Sequence, residues 1–200
     1  YRFTRELALL VVPMILIFGF VSSQTGFNRH MRYVLPAYPF AYILLSSVVW
    51  TVHRKVVIFL VAWLMTSCLW FFPYWLSYFN EAAGGPRNGS AWLLGTNLDW
   101  SQDLLRLKNW VDKHPESQPM RAKIFCQYSP SALGLDYSAP PPFVSGDKTI
   151  TDDNNQRGPQ SGWYAISVRI LKESIHGSNS GYQYFDRFKP VAYAGYSIYI

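Results

Sequence analysis

Apolar residues fall into three long runs at the start of the chain. No charged residue occurs from Leu7 to Asn28, from Tyr33 to His53 or from Val56 to Asn80, with His counted as neutral. A helix needs about 20 mostly apolar residues to cross the hydrocarbon core of a bilayer, and each run reaches that length. The pattern predicts transmembrane helices near residues 6–23, 33–52 and 55–77, which makes residues 1–79 a membrane region. Three buried helices of a soluble protein would seldom crowd such runs into 80 residues. The first run is not a signal peptide, because no small-residue cleavage site precedes Ser22–Gln24 and further apolar runs follow.

From Asn80 the pattern becomes that of a small globular domain over residues 80–200. Glu81-Ala-Ala-Gly-Gly-Pro-Arg-Asn-Gly89 is a turn-rich stretch. Asn97-Leu-Asp-Trp-Ser-Gln-Asp-Leu104 opens a helix that Asp99 or Ser101 can cap, with Asp103 in its first turn. Leu104, Leu105, Leu107, Trp110 and Val111 supply its apolar face, and His114-Pro115 ends it. Strands are predicted at Lys123–Tyr128, Gly162–Ile170 and Tyr196–Ile200, and a mobile loop over Ser138–Gly162. Helix and strand alternate, so the predicted fold class is a membrane α-helical region of three transmembrane helices followed by a small α/β extracytoplasmic domain.

Charge sharpens the division. Of the formal +6, residues 1–79 hold six Arg/Lys and one Glu, whereas residues 80–200 hold twelve Arg/Lys and eleven Asp/Glu. A basic surface confined to the apolar part argues against nucleic acid, which calls for a basic soluble face. Arg2 and Arg5 before the first run, and Arg54 and Lys55 between the second and third, fall on the cytoplasmic side by the positive-inside rule. That orientation carries residues 80–200 across the membrane and predicts a multi-pass plasma (inner) membrane protein with membrane lipid as a partner. Neither Cys68 and Cys126 nor the four scattered His form a zinc or disulfide pattern, so no metal site is expected among these residues. Asn88-Gly-Ser90 matches a glycosylation sequon, which matters only in a eukaryotic secretory setting.

One loop breaks the charge rule. Gly26-Phe-Asn-Arg-His-Met-Arg-Tyr33 puts Arg29, His30 and Arg32 on the outer side. They either snorkel to lipid headgroups or meet an anion such as a lipid phosphate, for which the planar Arg fork is suited. Pro36 and Pro39 follow at once and kink the helix entrance. Irregular backbone at membrane depth is tolerated where protein covers it or it lines a cavity, so this entrance is expected to face a site.

Taken together, Arg29-His-Met-Arg-Tyr-Val-Leu-Pro-Ala-Tyr-Pro39, Tyr78-Phe-Asn-Glu-Ala-Ala-Gly-Gly-Pro-Arg-Asn-Gly89 and Asn97-Leu-Asp-Trp-Ser-Gln-Asp103 resemble the C-terminal region of bacterial integral-membrane glycosyltransferases of the GT-C class. The type is that of dolichyl-phosphate-mannose protein mannosyltransferases and the lipid A aminoarabinose transferase. Gly162-Trp-Tyr-Ala-Ile-Ser167 and Pro190-Val-Ala-Tyr-Ala-Gly-Tyr-Ser-Ile198 also fit. The resemblance implies transfer of a sugar from a polyprenyl-phosphate donor to an acceptor on the outer face of the membrane. It implies that Arg29, His30, Arg32 and Tyr33 hold the donor phosphate. The family's acidic first outer loop, which acts as base or binds a divalent metal, has no counterpart here. The chain therefore reads as a fragment that lacks an N-terminal membrane region of the same protein and is inactive alone.

Asn80, Glu81, Asn97 and Asp99 have two readings. They line the outer mouth and contact acceptor or sugar hydroxyls, or they serve turns and caps, which suffice to explain Asp99 and Asp103. Glu81, just past an apolar run, has no capping role to explain it. A competing function is a non-enzymatic, membrane-anchored extracytoplasmic binding or assembly module. A transporter would need charged residues within its spans.

Overall fold

The computed structural model describes residues 2–24, 30–93, 95–141, 160–172 and 181–200. They form two compact units, Tyr1–Pro73 and Tyr74–Ile200. The first is helical; the second carries a small mixed sheet with helices.

In the first unit, α1 runs Arg2–Ser23, and α2 and α3 run Tyr38–Val48 and Arg54–Trp70. A 3-10 helix, Met31–Ala37, leads directly into α2, and both pack on α1. Apolar side chains such as Leu9, Phe20, Trp50 and Trp70 remain exposed. Among the described helices, one stretch, Thr4–Ser23 in α1, is long and apolar enough to cross a membrane. The continuous helix expected over 33–52 is instead a 3-10 segment followed by 11 α-helical residues. Its cause is the proline pair. Pro36 sits inside the 3-10 helix, and Pro39 occupies the first turn of α2, where a missing N–H costs nothing. The helix expected over 55–77 stops at Trp70, after 17 residues, and the chain turns at Phe71–Pro73.

In the second unit, α4 spans Leu104–Lys113, β1 Met120–Lys123, β2 Trp163–Ser167, α5 Val168–Lys172, β3 Tyr193–Ala194 and β4 Ile198–Tyr199. The sheet order is β1-β2-β4-β3. β1 and β2 are parallel, with Met120 opposite Trp163 and Lys123 opposite Ile166, while β4 is antiparallel to both neighbours. Strand alternation sorts the two faces. Met120, Ala122, Ala165, Ala194 and Ile198 pack with Leu104, Leu107 and Val111 of α4. On the opposite face Ile166 joins Ile170, Leu171 and Tyr182, with Tyr164, Phe185 and Tyr199 against them. There, Arg121 Nη1 donates to the Tyr164 hydroxyl at 3.2 Å and Lys123 lies 5.7 Å from the Tyr182 ring centroid.

Several sequence expectations are corrected. Leu105 points outward instead of joining the apolar face of α4. The strand expected at Lys123–Tyr128 lies earlier, because Ile124–Tyr128 pairs with a side chain: Ser101 Oγ donates to Phe125 O at 3.0 Å and accepts from Gln127 N at 3.3 Å. The strand expected over Gly162–Ile170 ends at Ser167, and Val168 N donates to Ser197 O at 2.8 Å as the chain enters α5. The third expected strand starts late, since Gly195–Ser197 forms the β3–β4 turn. Most of the expected 138–162 loop lies outside the described residues, but its start is bound, with Ala122 N donating to Ser138 O at 2.9 Å. α4 ends at His114, as His-Pro requires.

The β3–β4 turn depends on Gly195. Its φ is +64°, and a Cβ there would lie 2.1 Å from the Asp103 carboxylate. Gly195→Ala is expected to destabilise the second unit by about 2 kcal/mol or more, from strained backbone plus displacement of a buried carboxylate. Chemical denaturation followed by tryptophan fluorescence measures it, and an unchanged midpoint would contradict this account.

Candidate functional site

The cationic entrance is partly assembled. Arg29 lies outside the described residues. His30, Arg32 and Tyr33 come together where the chain enters the Met31–Ala37 3-10 helix. Arg32 Nη2 donates to the Tyr33 hydroxyl at 3.0 Å, and its guanidinium carbon lies 4.9 Å from the Tyr33 ring centroid. The His30 ring meets the same Tyr33 ring edge-on at 5.9 Å. Arg32 is solvent-exposed, and His30 and Tyr33 are half-buried. The geometry thus builds a small cationic knot in which Tyr33 orients the guanidinium through both its hydroxyl and its ring face. Such a knot can bind an oxyanion.

The other predicted residues lie in the second unit and do not form one cluster of free polar groups. Asn80 is a cap: its Oδ1 accepts from Ala83 N at 2.9 Å. Glu81 therefore does have a local place, the first turn of the 3-10 helix Glu81–Ala83, where it is exposed. Asn97 ends a short 3-10 helix, Gly95–Asn97, and is half-buried.

Asp99 is 1% exposed. One of its oxygens accepts from Ser101 N at 2.9 Å, and the other from the Ser167 hydroxyl. It does not cap α4. Nor does Ser101, whose hydroxyl is spent on Phe125 and Gln127 and whose φ is +69°. The residue at the cap position is Asp103, yet its side chain makes no cap bond. Asp103 reaches across instead: Oδ2 accepts from Tyr196 N at 3.0 Å, Ser197 N at 3.0 Å and Ser197 Oγ at 2.9 Å. Its other oxygen accepts from Arg106 Nη1 at 3.2 Å. Both carboxylates are thus buried and use both of their oxygens in holding the fold together.

Burial pushes the Asp99 carboxyl above its usual 3.8, aided by the charge of Asp103 and opposed by the Ser167 and Ser101 hydrogen bonds and by Arg169. Burial likewise raises the Cys126 thiol, opposed by its contact with the Tyr137 hydroxyl, so this cysteine is no activated nucleophile. Among the described residues, no three His, Cys, Asp or Glu side chains gather as they would to hold a metal ion.

Sequence reasoning passed over a cavity of about 570 Å³ in the second unit, between β2, β4 and the Gln183–Arg187 3-10 helix. Trp163, Tyr164, Phe185 and Tyr199 line it. Its signal in the sequence was the density of aromatics in Gly162-Trp-Tyr164 and Tyr182-Gln-Tyr-Phe185, residues scattered across separate elements. No known protein family matches the sequence, and neither does any curated protein or solved structure.

The raised Asp99 carboxyl fixes the sign of a pH effect. The folded state holds the proton more tightly than the unfolded one, so this group's contribution is full below 3.8 and is lost as pH climbs through the raised folded value. Asp99→Asn, neutral throughout, is expected to flatten the stability–pH profile above 3.8. Parallel profiles for the variant and the parent chain in urea titrations across that range would refute the assignment.

Proposed function

We propose that this chain is the C-terminal part of an integral-membrane glycosyltransferase, which moves a sugar from a polyprenyl-phosphate donor to an acceptor on the outer face of the membrane. In this reading residues 1–79 provide three membrane-spanning segments, and residues 80–200 lie outside the cytoplasm. The observation that carries it is the His30–Arg32–Tyr33 knot beside a proline-broken helix start. A basic group at an outer helix entrance works against topology, and an anion at that level gives it a purpose.

The chemistry is simple to balance. The bond between the anomeric carbon and the phosphate oxygen breaks, and its electron pair stays on the phosphate. A new bond forms from an acceptor hydroxyl oxygen, whose proton passes to a base. The resemblance places that base in an acidic loop of the longer protein, together with any divalent metal it uses. The leaving polyprenyl phosphate gains negative charge, and a guanidinium held beside it lowers that cost. Tyr33 keeps the fork oriented while Arg29 and Arg32 supply positive charge and His30 a hydrogen-bonding ring.

A second reading, a membrane-anchored extracytoplasmic binding module, is favoured by one observation: α1 alone among the described helices has the length and hydropathy of a full span. In that case α2 and α3 would lie at the interface or against other helices.

Two substitutions separate the readings, made in the complete protein and assayed in membranes with radiolabelled polyprenyl-phosphate sugars. Arg32→Ala is expected to lower transfer about 100-fold, the low end of what losing one oxyanion donor costs, with Arg32→Lys recovering part of it. Transfer within about twofold of the parent would end the phosphate role. Glu81→Gln is expected to leave stability unchanged; a concurrent loss of turnover would assign Glu81 to the acceptor side, and unchanged turnover would leave it a turn residue.

A further inference from the structure

The cavity of the second unit takes part in none of this, and it has the size and lining of a ligand site. We infer that it binds a neutral saccharide, one or two pyranose rings, with the sugar's C–H face laid on its aromatic side chains.

The argument begins with the wall. Tyr164 and Phe185 are in ring contact at 4.9 Å, and Phe185 lies 6.5 Å from Phe188. Tyr199 completes an aromatic lining around Ile166 and Leu171, and Trp163, whose ring packs on the α4 side of the sheet, borders it. These rings are held in place. The Tyr164 hydroxyl donates to Gln160 O at 2.9 Å and accepts from Arg121, and Trp163 packs against Trp110 at 5.6 Å. A rigid aromatic surface costs little entropy on binding.

Polar groups decide which ligand fits. Gln160, Ser161, Asp186 and Lys189 also line the cavity. Asp186 already pairs with Lys172 at 2.5 Å, so among the described residues the wall carries one compensated carboxylate and one further ammonium. That balance gives no cradle for a phosphate or nucleotide, which calls for several convergent donors. An isoprenoid chain or other purely apolar ligand would make no use of the polar rim of Asp186, Lys189 and Gln160. A pyranose satisfies both demands, because one face shows only C–H groups while its edge carries hydroxyls that both donate and accept. The cavity volume of about 570 Å³ accommodates one or two such rings. This inference is independent of the proposed transfer reaction, since it rests on a different unit and different residues.

The test is saturation-transfer-difference NMR on the complete 200-residue chain, held in a detergent without a sugar headgroup. Methyl pyranosides of neutral hexoses and pentoses are the probes, with geranyl phosphate and a proline-rich decapeptide as competitors. Saturation is expected to concentrate on the C–H protons of one sugar face, with millimolar affinity. Phe188→Ala, at a side chain already 55% exposed, is expected to weaken binding at least fivefold without changing the far-UV circular dichroism. Leu105→Ala, on the exposed side of α4, should leave it unchanged. Asp186→Asn is expected to weaken it about threefold by removing a charged hydroxyl acceptor. No saturation of any pyranoside, binding indifferent to Phe188→Ala, or displacement of the sugar by geranyl phosphate or the peptide would each overturn the inference. Failure here leaves Arg32-dependent transfer untouched, and loss of Arg32-dependent transfer leaves sugar binding untouched.

Discussion

The second unit depends on a buried carboxylate. Asp103 stands at the head of α4, fully out of solvent, and spends one oxygen on three donors of the β3–β4 turn. A buried charge is costly unless its hydrogen bonds are complete, and here they are. Two of the donors are backbone N–H groups that the narrow turn would otherwise leave unpaired. The same bonds set α4 against β3 and β4, which brings Leu104 and Leu107 onto Ala194 and Ile198. Gly195 is the other half of the arrangement, since only a residue without Cβ lets the carboxylate approach this closely. Arg106 then balances the charge, and its guanidinium lies over the Tyr74 ring at 4.2 Å, while Tyr74 meets Tyr196 edge-on.

The stretch before it works as a clasp. Asp99 ties the end of β2 through Ser167, Ser101 satisfies the irregular Phe125–Gln127 backbone, and Gln102 donates to Leu98 O and Ser77 Oγ at 2.7 and 3.1 Å. Ser101 adopts a positive φ that a non-glycine residue holds only when its surroundings over-determine it. Three tertiary anchors within four residues meet that condition.

Much of this was visible in the sequence at the level of elements and invisible at the level of bonds. The 3.6-residue spacing of Leu104, Leu107 and Val111 located α4, and His114-Pro115 its end, because local rules govern both. Leu105 was misplaced because an apolar residue one step off the stripe satisfies a composition test and fails a geometric one. Asp99, Ser101 and Asp103 all satisfied the helix-cap pattern, yet their side chains went to partners 24 to 94 residues away. A cap and a long-range clasp use the same residue types, so one sequence cannot tell them apart. The first unit shows a related limit. Hydropathy counted Tyr33–His53 as one run, while Pro36 and Pro39 divided its backbone. The cavity was hidden for a different reason: β2 contributes Trp163 and Tyr164, β4 only Tyr199 and the Gln183–Arg187 segment only Phe185, and the sheet order brings them side by side.

Charge separates the two chemistries assigned to this chain. Residues 1–79 carry +5, and of that charge Arg32 is held against Tyr33, with the His30 ring on the same tyrosine. Residues 80–200 carry only +1, and the described acidic groups that form ion pairs are Asp103 with Arg106, Asp112 with Lys108 and Asp186 with Lys172. An oxyanion is drawn to the first and gains nothing at the second. A neutral polyhydroxylated ring gains nothing from an isolated guanidinium in water but gains from desolvated aromatic faces beside a few hydrogen-bonding groups. The two proposed ligand classes are thus opposite in chemical character, one an oxyanion and the other a neutral ring. Each rests on described residues within one unit.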